Sequence, residues 1–116
     1  LNYMEQSNIS IDVILDGQKM PERIEWLAEG SHLTEKQKAK AMMLSFWDGS
    51  ERAALRVDLW TKDMMIDEMG DFFYQTIMTM ADTLKRATRQ EELSEEMKTF
   101  ANHFSEAFRK NMIKNQ

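Results

Sequence analysis

The side chains best suited to chemistry in this sequence are carboxylates. Asp63, Asp67 and Asp71 recur at every fourth position, and Glu68 stands beside the second of them. Oxygen ligands in such a row suit a hard cation such as Mg²⁺ or Ca²⁺. On a helix, however, the three spread over about 12 Å at 1.5 Å per residue, so at most two reach one ion. The competing reading is structural: Asp63 caps a helix whose first turns carry acids, which the helix dipole favours. Paired carboxylates for glycoside chemistry need a cleft between them, and no pattern here implies one. Nucleophilic hydrolysis has less support still. There is no cysteine and no G-x-S-x-G elbow, and the two histidines, His32 and His103, lie far apart. His32 reads as a solvated loop residue and His103 as the boundary of a helical stripe, between Phe100 and Phe104. Gly17, Gly30, Gly49 and Gly70 are scattered and build no phosphate cradle. Gly70 falls within a helical pattern, where glycine costs about 1 kcal/mol relative to alanine. It reads as an exposed, tolerated glycine, or as a point of close backbone approach. The expectation is a protein with no catalytic residues, no cofactor and no resident metal.

The composition agrees with that expectation. The chain has 116 residues, with 42% apolar and 30% charged side chains and a formal net charge of -5. Those values fit one soluble domain, expected over residues 4–116, and argue against a general binder of nucleic-acid backbones. The longest apolar run is Ala41 to Leu44, far too short to span a bilayer. No basic stretch followed by an apolar run marks a secretory signal, so a cytoplasmic location is expected, with a trimmed export signal as the alternative. Met4 precedes a polar lead-in, which suggests a native start there, with residues 1–3 foreign to it.

Several elements must position whatever these residues do. Ile9, Ile11, Val13 and Leu15 alternate with Ser10, Asp12 and Ile14, the period of a strand with one buried face. Asp16-Gly17 starts a turn, and Ile24 and Trp26 mark an antiparallel return strand. Residues 34–47 admit two readings. As a helix, Thr34 and Gln37 form a capping box. As a strand, Met42, Leu44 and Phe46 face inward and Asp48-Gly49 turns the chain. The strand reading is preferred because Leu55, Val57 and Leu59 alternate and need a partner. A four-residue loop, Asp48 to Glu51, then sets Phe46 opposite Ala53, Leu44 opposite Leu55 and Met42 opposite Val57.

From Met64 to about Ala87 the period becomes helical, through Met69, Phe73, Ile77, Met80 and Leu84. Thr88 with Glu91 signals a break and a second helix to about Lys114, with Glu91, Glu92, Glu95 and Glu96 at its start and Arg109, Lys110 and Lys114 near its end. The predicted fold is α+β: a four-stranded antiparallel sheet of two hairpins, followed by two long C-terminal helices packed on one face.

Two helices cover one face of such a sheet, which leaves Ala41, Met43, Ser45, Trp47, Ala54, Arg56, Asp58 and Trp60 on the other. Trp, Met and Arg are enriched at the centres of protein interfaces. Met43, Trp47, Arg56, Asp58, Trp60 and Lys62 are therefore the expected partner-binding residues, with the indoles as anchors and Arg56 and Asp58 giving orientation. The alternative is that the loop over residues 27–38, or the helix ends, fold over these side chains as a small second core. Eleven methionines are the other compositional outlier, and most fall at core positions where a flexible thioether fills gaps.

The segments Trp47-Asp48-Gly49, Leu55-Arg56-Val57-Asp58-Leu59-Trp60-Thr61-Lys62-Asp63-Met64, and Asp67-Glu68-Met69 through Phe72-Phe73 resemble the GldC family of gliding-motility-associated proteins. Met80-Ala81-Asp82-Thr83, Arg86-Ala87-Thr88 and the strand-turn-strand opening up to Trp26 fit the same pattern, so the likeness runs from Ile9 onward. The resemblance implies a bacterial accessory protein that serves gliding alongside envelope and secretion proteins, with no catalytic residues to carry over. It implies a protein partner from that machinery. The sheet face itself admits a homodimer formed by two sheets back to back as a variant, and the acidic balance and short apolar runs argue against nucleic-acid binding and membrane insertion. The alternative function is a small-ligand or divalent-metal module at the strand-to-helix junction, using Asp63, Asp67 and Glu68 near Arg56 and Lys62.

Overall fold

A computed structural model describes residues 5–114. Five strands are followed by two helices: β1 (Ile9–Leu15), β2 (Pro21–Ala28), β3 (Gln37–Ala39), β4 (Ala41–Asp48), β5 (Ala53–Trp60), α1 (Ile66–Thr88) and α2 (Glu91–Lys114). The fold is α+β as expected, but the strands do not join into one four-stranded sheet. They form a three-stranded sheet, β1-β2-β3, and a separate two-stranded one, β4-β5. The chain divides into two compact units, the strand-bearing unit ending at Met64 and the helical unit beginning at Met65.

In the three-stranded sheet the turn after β1 is built by Asp16. Its Oδ1 accepts the backbone N–H groups of Gln18 and Met20 at 2.8 and 3.0 Å, while Lys19 takes a left-handed φ of 63°. Val13 lies opposite Ile24 and Ile11 opposite Trp26, so the alternating apolar residues share a face. Pro21 opens β2 opposite Leu15 beside a register irregularity, at the strand start where a missing N–H is tolerated. Ile24, at the middle of the central strand, is 1% exposed. The unpredicted β3 is three residues long and pairs with Glu25 and its neighbours: Ile24 with Ala39, Glu25 with Lys38, Trp26 with Gln37.

Residues 41–48 are extended, which settles the earlier ambiguity in favour of a strand. The register differs from expectation by two residues: Phe46 faces Leu55, Leu44 faces Val57 and Met42 faces Leu59. Asp48 causes the difference. It pairs with Ala53, and its Oδ1 accepts the N–H groups of Ser50 and Glu51 at 2.9 and 3.3 Å, while Arg52 closes the loop at φ 52°. The loop therefore runs from Gly49 to Arg52. A shift of two preserves side-chain faces, so the predicted cross-strand faces survive.

In the helical unit α1 and α2 pack as an antiparallel pair. Arg89 ends α1 in the left-handed region at φ 61°, and its N–H bonds to the Lys85 carbonyl at 2.8 Å. Small residues line the crossing. Gly70, Ala81, Ser94 and Ala101 are buried, and Ser94 Oγ donates to the Ala81 carbonyl at 2.7 Å. Gly70 is thus not an exposed glycine: a Cβ there would lie 2.4 Å from the Phe108 ring. Asp63 does not cap α1. Met65 holds the cap position, and Glu68 Oε1 accepts its N–H at 3.2 Å. Among the described residues no helix is long and apolar enough to cross a membrane.

Candidate functional site: an exposed hairpin

The β4-β5 hairpin carries most of the expected contact residues. Pairing sets Ala41 opposite Trp60, Met43 opposite Asp58, Ser45 opposite Arg56 and Trp47 opposite Ala54, so these eight side chains share one face. Arg56 and Asp58, two apart on β5, form a two-point contact: Nη2 to Oδ1 at 2.8 Å and Nε to Oδ2 at 3.2 Å. Both are nearly half exposed, so the pair adds little stability and instead fixes two polar groups between the indoles. Trp47 is 64% and Trp60 57% exposed, and the Arg52 guanidinium lies 6.0 Å from the Trp47 ring centre. Met43 is half-buried.

Lys62 lies beyond β5 and outside this face. It pairs with the Asp16 carboxylate in the β1-β2 turn. That ammonium is the main reason the Asp16 pKa falls from 3.8 to about 2, with the N–H groups of Met20 and Gln18 adding to it. A carboxyl held below its unfolded value stabilises the fold in full above that value, and the contribution is lost as the pH drops through about 2. Replacing Lys62 with Met is expected to move the Asp16 titration midpoint from about 2 towards 3.8, read from side-chain carboxyl NMR shifts. The stability gap between variant and parent should close as the pH falls towards 2. An unchanged midpoint would assign the depression to the two N–H donors alone.

The opposite face of the hairpin corrects the sequence reading. Phe46, Leu55 and Val57 were expected inward, yet they are 60%, 58% and 47% exposed. Alternation places them on one face, but among the described residues no third strand extends the hairpin. Among the larger apolar side chains on this face, the half-buried ones, Met42, Leu44 and Leu59, lie towards the base. At that base Thr61 is 2% exposed. Its N–H bonds to the Lys40 carbonyl at 2.7 Å, and its hydroxyl donates to Asp63 Oδ1 at 2.5 Å. This bond lowers the Asp63 pKa. Thr61 escaped the sequence reading because a single threonine after a strand has no periodic signature.

Three of the four carboxylates considered for a metal are engaged locally. Asp63 accepts from Thr61, Asp67 Oδ1 from the Glu68 N–H at 2.9 Å, and Glu68 from Met65. No group of three or more histidine or carboxylate side chains among the described residues is disposed to hold a metal ion. His32 and His103 are both exposed. A groove of about 580 Å³ lies within the helical unit, floored by Met65, Ile66, Gly70, Phe108, Met112 and Ile113, with Asp67, Asp71 and Arg109 also lining it.

A family model described as gliding motility-associated protein GldC-like matches residues 21–110, from β2 through most of α2. The chain belongs to the GldC-like family. The match spans the whole hairpin, so all six expected contact residues lie within the family's extent. No curated protein and no solved structure matches the chain. Membership in the GldC-like family ties the protein to gliding motility.

Proposed function

We infer that this GldC-like protein is a non-enzymatic accessory component of a bacterial gliding-motility or associated envelope system, acting through protein contacts at the β4-β5 hairpin. The observation that supports it is the exposure of Trp47 and Trp60 on one face and of Phe46, Leu55 and Val57 on the other. Single exposed apolar residues are ordinary, whereas a cluster on one short element marks an interaction surface. Trp47 and Trp60 anchor the contact, the Arg56-Asp58 pair orients it, and Met43 adapts to the partner surface. Lys62 holds the β1-β2 turn beside the site through Asp16. The absence of cysteine and the acidic balance suit a cytoplasmic protein that meets its partner at the inner side of the envelope.

Replacing Trp60 with Ser should abolish recovery of the partner when the tagged chain is purified from its native cell and its companions are identified by mass spectrometry. The far-ultraviolet circular dichroism should stay as in the parent, because the indole is mostly solvated. Undiminished recovery with Trp60→Ser would reject this face as the contact.

A further inference from the structure

The helical unit carries a second surface with a different logic. Ile66, Phe73 and Met80 recur every seven residues on α1, and Leu93 and Phe100 do so on α2; all five are exposed. Half-buried Phe104 lies between the two rows, its ring centre 6.1 Å from Phe73 and 6.3 Å from Phe100. These residues form one apolar face on a helix pair. At 1.5 Å per residue α2 is about 36 Å long, and two helices are about 20 Å wide. The face thus offers roughly 700 Å², close to the roughly 800 Å² per partner of a stable protein interface.

The flank of α2 next to that face says what covers it. At about 100° per residue, Glu92, Glu96, His103, Lys110 and Lys114 fall within a sector of about 40°, bordering Phe100 and Ala107. The two acids lie toward the start of the helix and the two lysines toward its end, spaced evenly about His103. All four charged side chains are exposed, and none has an ion-pair partner among the described residues. Toward α1 the polar groups are already matched: Lys98 to Asp82 at 2.9 Å, Ser94 to the Ala81 carbonyl, and the Tyr74 hydroxyl to Asn102 at 3.2 Å.

A stripe that is acidic at one end, basic at the other and symmetric about its middle is complementary to itself when reversed. We propose that the apolar face of the helical unit is covered by a second copy of this chain, with α2 antiparallel to its counterpart about a two-fold axis near His103. Glu92 then meets the copy's Lys114 and Glu96 the copy's Lys110, each pair occurring twice by symmetry. The opposite flank of α1, with Phe72, Thr76, Thr79 and Thr83, carries no such charges, so pairing of α2 with the copy's α1 lacks this match. The surface is separate from the hairpin face of the proposed function.

Sedimentation equilibrium of the purified chain tests the assignment. A dimer at micromolar concentration is expected, and Lys110→Glu with Lys114→Glu should weaken it by about tenfold or more by placing like charges together. Adding Glu92→Lys and Glu96→Lys to the same chain restores all four pairs and should return the affinity to within about threefold of the parent. The natural absence of cysteine permits a geometric check. His103→Cys should oxidise to a covalent dimer, because the axis brings the two thiols within disulfide reach. Glu92→Cys should not, its two copies lying about 33 Å apart along the axis at 1.5 Å per residue. Trp60→Ser should leave the dimer intact. A monomer at about 100 μM, which would mean that the chain's own strands or another protein cover the face, overturns the proposal. So does a dimer indifferent to the reversals, or one that cross-links as readily through position 92 as through 103.

Discussion

Replacing Ile24 with Ala is expected to cost about 3 kcal/mol of folding free energy, the largest loss of any single truncation in the strand-bearing unit. Ile24 is the one large apolar side chain buried outright among the described residues of that unit, at 1% exposure. It sits mid-strand on β2, with Val13 of β1 on one side and Ala39 of β3 on the other. A neighbour on each side leaves little room for collapse around a deleted side chain, so the cavity adds to the lost transfer free energy. Ile24→Val, which removes one methylene, should cost about 1 kcal/mol. Ile9→Ala supplies the contrast: Ile9 is 73% exposed at the strand end, and its loss should stay within about 0.5 kcal/mol. Urea unfolding with a common slope measures all three. A loss below 1 kcal/mol for Ile24→Ala would show that β2 is not the centre of the unit's core.

The second large effect is at Gly70, where two opposing terms decide the sign. Alanine in a helix interior gains about 1 kcal/mol over glycine. A Cβ at Gly70, however, would lie 2.4, 2.5 and 2.9 Å from three atoms of the Phe108 ring. The ring has to move by more than 1 Å, and in moving it gives up its packing on Phe104, 5.9 Å between centres. Overpacking of this kind costs about 1–3 kcal/mol, so Gly70→Ala should be a net loss of about 1 kcal/mol. With Phe108→Ala already in place the obstruction is gone, and the same change should stabilise by about 1 kcal/mol. Equilibrium unfolding of the four members of that cycle gives the answer. A gain from Gly70→Ala in the parent chain would mean that the ring swings aside at no cost, into the groove lined by Met112 and Ile113.

Where local chemistry specifies an element, the sequence makes it legible. The alternation from Ile9 to Leu15, the Asp16 turn, and the change to helical spacing after Met64 each correspond to an element found in the structure. The break near Thr88 is also found, although the left-handed Arg89 makes it and not a capping box. What escaped depends on contacts distant in sequence or on which of several side chains wins a bond. β3 is three residues, Gln37 to Ala39, and its polar pattern carries no period. Whether two hairpins join into one sheet depends on edges meeting, which alternation within each strand does not specify. The register of β4-β5 slipped by two because apolar faces are blind to even shifts, and the bonds from Asp48 fix it. Asp63 was read as a helix cap, but the Thr61 hydroxyl engages it first.

The geometry of the candidate face was legible in the same measure. Parity along β5 placed Arg56, Asp58 and Trp60 together, and pairing brings Met43 and Trp47 to the same face. The exposure of Phe46, Leu55 and Val57 was hidden, because alternation identifies two faces without saying whether a layer lies above either. Lys62 counts one residue pair past the strand, and its engagement with Asp16 links turns 46 positions apart in sequence.

A ribbon of only two strands holds itself open with little free energy in reserve, since an isolated pair is marginal in water. Its order and its occupancy are therefore thermodynamically linked: any polypeptide that seats on the ordered ribbon also deepens the well that keeps it ordered. The turn chemistry of Asp48 and the anchoring of Thr61 to Lys40, at the two ends, pre-arrange the ribbon and reduce the entropy that such a ligand must offset. Tightness of grip and stiffness of backbone should rise and fall together along β4 and β5.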